Sequence, residues 1–285
     1  MMDFTCILST VLFVVSNLLG FSYFHRYRST FHSSHEERES YYLNMTALEP
    51  EFIKDHWEHR IDNYFFELSS GILNAMAWMV FCLPILQVAW LQSRRGTHLI
   101  SVHVAIGALA LGGSITELIS RLMFIGATST GNWLAKDFNL SSWTGEGTTD
   151  DIGWRVLEMI TIVTRGFLLW IDAAEWLFLS AIFTLLYVST FSAGVFSRGW
   201  ARLGMLIALL AFVDFSSEVL RLKSWMTFSL VAVLISWVSR LLLMPIWLLW
   251  LGRQLVRVRA EATAKRADDS LALAESEIAA EGQLS

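Results

Sequence analysis

The stretch LISVHVAIGALALGGSITELISRLMFI, residues 99–125, decides the fold class. Its only two full charges are Glu117 and Arg121, and its other members are apolar, small, hydroxylated or the single His103. About 20 residues of this kind let a helix cross the roughly 30 Å of hydrocarbon in a bilayer. A helix also satisfies every backbone N–H and C=O within its own segment, which lipid demands. A membrane strand would need segments of about 10 residues alternating apolar and polar, and that pattern is absent.

Five further runs have the same character: residues 4–24, 68–91, about 166–191, about 203–220 and 225–251. The expected fold is therefore an all-α polytopic transmembrane helix bundle of five or six spans, with an extracytoplasmic segment and a cytosolic helical tail. The whole chain agrees with this. It is 54% hydrophobic and 16% charged, where a soluble domain averages about 25% charged. Several tryptophans (Trp90, Trp200, Trp225, Trp250) fall at span ends, where amphipathic rings prefer to sit. The lipid bilayer is the first partner implied. A net charge of −5 argues against nucleic acid, which would want a basic surface.

The chain divides on this reading into residues 1–24 (first transmembrane helix or signal peptide), 25–67 (extracytoplasmic segment), 68–251 (transmembrane bundle with an outer loop at 127–151) and 252–285 (cytosolic tail). Within the outer segment a helix starts near Pro50, because Ile53, Trp57, Ile61, Tyr64 and Leu68 recur at helical spacing. Ile152, Val156, Met159, Ile160 and Val163 form an apolar stripe expected to lie on the membrane surface. Residues 105–114 are small and predict a close-packing face, with Ala108 and Gly112 four apart.

Orientation follows from arginine. Arg94 and Arg95, Arg198 and Arg202, and Arg253, Arg257 and Arg259 fall on one side if every span crosses, and the positive-inside rule makes that side cytosolic. The opposite side then holds both N-glycosylation sequons, at Asn44 and Asn139, the candidate glycosylation sites. Arg26, Arg28, Arg221 and Lys223 run against the rule. The two cysteines, Cys6 and Cys82, imply no disulfide framework, and Cys6 is a candidate for acylation at a membrane edge.

The chemistry is expected among charges inside spans, where each costs at least about 2.5 kcal/mol near the bilayer centre. Glu117 and Arg121 are four apart on one helix face, Asp172 and Glu175 are three apart, Asp214 and Glu218 are four apart, and Arg240 stands near the middle of its span. All five carboxylates fall in the outer half of their helices, so these seven residues are expected to form one intramembrane polar cluster, with Asp214 the favoured partner of Arg240. Catalytic motifs are missing: no phosphate-binding glycine loop, no nucleophile elbow, no Cys-x-x-Cys. His56 and His59 share a face without a convincing third ligand, and His103 lacks a second axial histidine on its helix, so neither a metal nor a cofactor is expected. Two function classes stay open. One is a carrier or channel-like protein whose acidic cluster takes an ion or small solute. The other is a non-catalytic scaffold or assembly component with a structural charge network and protein partners at its outer segment or tail.

Overall fold

Pro50 begins a long helix, as its fixed φ and missing N–H favour at a helix start. In a computed structural model, which describes residues 2–30, 50–95, 99–137, 152–221 and 235–282, the helices are α1 (Phe4–Thr30), α2 (Pro50–Ser93), α3 (Ile100–Asp137), α4 (Ile152–Ala193), α5 (Arg198–Arg221) and α6 (Met244–Gly282). A π-turn, Ser239–Leu243, leads directly into α6. No strand occurs among the described residues. Six helices are long and apolar enough to cross a membrane, so the chain is an all-α polytopic bundle. Each helix from α1 to α5 packs on the next, and α1 also packs on α6, which closes the bundle.

The bundle core is an aromatic layer. Phe13 meets Trp78 and Phe81 edge-on, Phe81 leans on Phe183 and Trp247, and Trp200 stacks on Trp247 at 4.6 Å. All of these are buried. The packed face of α3 is Ile106, Ala110, Gly113, Ser114 and Glu117. It lies off the expected Ala108/Gly112 face, since Ala108 is exposed and a Cβ at Gly112 would meet nothing within 4 Å. The helix's azimuth is set by Glu117 and Ser114, whose polar groups must face protein rather than lipid.

One end of the bundle gathers all three arginine groups. Gln92 donates to Thr190, the backbone N–H of Ser197 donates to Gln254, and Arg259 donates to Asp3 and to Gln87. Residues 87–95, 190–198, 252–259 and the chain's start therefore share this basic end. Asp3 accepts the backbone N–H of Thr5, its own N–H donates to the Gly252 carbonyl, and Phe13 sits in the core, so α1 is built into the bundle. The expectation of an acylated Cys6 is corrected here. Cys6 is fully buried, with its Cβ against Gly252.

The far end departs most from the sequence reading. Helices α2, α3 and α4 have 44, 38 and 42 residues. At about 1.5 Å per residue each is about twice as long as the hydrocarbon is thick. The surplus lies at the far end, where Ile53, Trp57, Ala135 and Leu157 form a second hydrophobic core. Two expectations fail for this reason. The outer loop placed at 127–151 is helical through Asp137, because Gly131, Asn132 and Ala135 are buried against neighbouring helices; residues 138–151 lie outside the description. The stripe at 152–163 does not form a separate surface helix, because its segment continues without a break into the spanning part of α4; the neighbouring Leu157 is buried against α2 and α3, while Met159 and Val163 of the stripe stay exposed. The boundary at 67/68 is likewise crossed by α2, whose one non-helical residue is Asn63 (φ −112°, ψ 15°). At the other end, the tail begins inside a continuous helix, and Gln254, Leu255 and Val258 are still buried. The sequons at Asn44 and Asn139 lie outside the described residues.

Candidate intramembrane charge cluster

Asn74, Glu175 and Arg240 stand seven, eight and seven residues on the far-end side of Phe81, Phe183 and Trp247. Those three rings touch one another, with Phe183 and Trp247 4.7 Å apart. Helical rise then puts all three polar side chains at one level, about 10–12 Å along the bundle from the rings. Three helices thus deliver polar groups to one level, and packing there brings them into contact.

Glu117 Oε1 accepts from Asn74 Nδ2 at 2.9 Å and from Arg121 Nε at 2.6 Å. Arg121 Nη2 reaches across to Glu175 Oε2 at 3.7 Å. The other oxygen of Glu175 lies 3.0 Å from Arg240 Nη2. The Arg240 guanidinium also sits over the Trp176 ring, 4.8 Å from its centre. The two carboxylates are 2% exposed, Arg121 12% and Arg240 18%, so this chain of charges is close to dry. Two glutamates and two arginines balance, which offsets the desolvation that each would suffer alone.

Local structure makes the meeting possible. Glu117 and Arg121 are one turn apart on α3. Arg240 lies in the π-turn, whose wider coil changes the angle at which the following residues leave the helix; such bulges recur at functional positions. Of the seven residues singled out in the sequence, Glu117, Arg121, Glu175 and Arg240 form this connected network. Asp214 is 1% exposed on α5. The side chains of Asp172 and Glu218 are outside the description. Glu175, which the sequence placed in the cluster without pairing it to Arg240, is the carboxylate found 3.0 Å from that arginine. A small cavity adjoins the network, lined by Trp78, Gly113, Thr116, Glu117, Glu175 and Phe178 among others, with room for about one water molecule.

No family model, curated protein or solved structure matches this chain. What can be said of its chemistry therefore rests on the side chains.

Sequence reasoning missed two polar sites. Arg60 and Glu67 pair at 2.8 Å at the far end, with Arg60 also over the rings of Trp57 and Phe124. The signal was their spacing of seven, two turns on one face, across the distorted Asn63. At the basic end, Ser189 donates to Gln92 Oε1 at 2.6 Å while its oxygen lies 2.7 Å from His103 Nε2. Ser189 has one proton and gives it to Gln92, so His103 donates through Nε2 and does not act as a base toward Ser189. His103 is thus part of a structural network of α2, α3 and α4. His59 is bonded to Asn63 and faces Tyr23, and among the described residues no group of three His, Cys, Asp or Glu side chains is placed to hold a metal.

Proposed function

We propose that this multi-pass membrane protein is a non-catalytic scaffold or assembly component whose intramembrane charges lock its helices together. The observation that carries the reading is Glu175 lying between Arg121 and Arg240. A carboxylate already within 4.0 Å of two guanidinium groups, in a nearly dry site, has little attraction left for a solute cation. The adjoining cavity is too small for any organic solute. Breaking a buried pair leaves a charge uncompensated, so the network enforces one arrangement of α3, α4 and the helix carrying Arg240. The far-end extension of α2, α3 and α4 supplies a stiff platform beyond the hydrocarbon, suited to protein partners. The arginine groups at the basic end favour that end, and the C-terminal helix, in the cytosol.

The second reading, a cation or proton carrier, draws on the cavity beside Glu117 and Glu175. Reconstitution separates the two. Purified protein in liposomes with sodium, potassium or proton gradients is expected to give no protein-dependent flux, while Glu175→Gln lowers the yield of folded protein. A flux that Glu117→Gln or Glu175→Gln abolishes in correctly folded protein refutes the scaffold reading and establishes the carrier.

A further inference from the structure

We propose that the cavity between α3 and α4 is the site of a single bridging water, which accepts from the Trp78 indole and donates to the carboxylates of Glu117 and Glu175. This goes beyond the scaffold reading and does not depend on it. Trp78 on α2 lines the cavity and is 1% exposed, and its Nε1–H has no acceptor among the described residues. Buried N–H donors are almost always satisfied by protein or by ordered water, so an orphan bordering a cavity of this size points to an occupant.

The chemistry of the lining selects that occupant. It must present an acceptor to Trp78 and donors to two carboxylates. Water does both at once. A metal cation offers no acceptor to the indole and meets the guanidinium groups of Arg121 and Arg240, which already balance Glu117 and Glu175. A halide could accept from the indole but is repelled by both carboxylates. A lipid methylene leaves all the polar groups unsatisfied. The Thr116 hydroxyl, on the exposed rim, supplies a further partner within the two to four hydrogen bonds that buried waters make. Gly113 keeps the space open, because a Cβ there would stand 3.2 Å from Phe178 Cγ and crowd the wall. The water joins α2, α3 and α4 at the level of the charge network and links Glu117 and Glu175 beside the connection that Arg121 makes.

Two measurements on the full chain in nanodiscs test this. In protein labelled with 15N-tryptophan, the Trp78 indole resonance, identified by its loss in Trp78→Phe, is expected to show a cross-peak to a slowly exchanging water. A map at water-resolving resolution is expected to show one compact density within hydrogen-bond distance of Nε1. Gly113→Ala is expected to weaken both signals. An indole resonance without a water cross-peak, an empty cavity, or elongated or metal-like density overturns the proposal. Should Trp78→Phe fail to fold, the density in the unsubstituted protein decides alone.

Discussion

Glu175 on α4 and Arg240 on the π-turn before α6 meet at 3.0 Å, joining two helices that are 65 residues apart in the chain. Arginine stays charged in proteins, so inside hydrocarbon it must find a partner or water. Glu175 is one such partner, and the guanidinium also lies over the Trp176 ring.

Arg240→Ala is expected to cost about 3 kcal/mol, because it strips a buried carboxylate of a counter-charge. Glu175→Gln alone is expected to be similarly harmful. Their combination is expected to cost less than the sum by about 1 kcal/mol or more, since neither orphan charge then remains. Unfolding of detergent-solubilised variants in a double-mutant cycle measures this. Strict additivity excludes the pair.

Gly131 sits directly against Trp57 in the far-end extension. A Cβ there would overlap the Trp57 ring, with Cζ3 2.5 Å and Cζ2 2.8 Å away. Trp57 cannot yield cheaply, because it is fully buried and its Nε1 donates to Thr161 at 3.0 Å. Gly131→Ala is expected to destabilise the extension by about 1–3 kcal/mol. Limited proteolysis should show faster cleavage between residues 50 and 67, and Trp57→Leu in the same chain should recover part of the loss. Unchanged protection in Gly131→Ala would contradict this packing.

Asp3 ties the start of α1 to the basic end. Burial pushes its pKa up, but the hydrogen bonds from Thr5, the charge of Arg259 and the Cys6 N–H together outweigh that and hold it below the ordinary 3.8. A lowered folded-state value means that the stabilisation is complete above about pH 4 and is lost as pH falls through the folded value. Asp3→Asn is therefore expected to lower stability by about 1–2 kcal/mol between pH 5 and 8, the range for hydrogen bonds to a charged group. The gap to the unsubstituted protein should narrow progressively as pH falls below about 4. A gap that does not narrow at all as the pH is lowered argues that Asp3 acts through packing alone.

Sidedness has a direct test. Lys136 and Ser270 are exposed at opposite ends of the bundle, and both native cysteines are buried. In intact cells Lys136→Cys is expected to react with an impermeant maleimide, and Ser270→Cys only after permeabilisation. Reaction of both before permeabilisation rules out the proposed orientation.

The sequence by itself determined that this is an all-α bundle of apolar spans, and it marked the charged residues inside them. Both follow from a one-dimensional property. Hydrocarbon forbids unsatisfied backbone and isolated charge, so about 20 apolar residues in a row and a glutamate within them are legible without neighbours. Only the tertiary structure decided that Glu175 lies 3.0 Å from Arg240, and that Trp78 lines the cavity beside Glu117. Those contacts depend on how far each helix is turned and slid against the next, which side-chain packing of separate helices sets. The same holds for the far-end extension. The segment 152–163 reads alike whichever of its faces packs, and only the opposing Trp57 and Ala135 decide that Leu157 faces protein while Met159 and Val163 stay exposed.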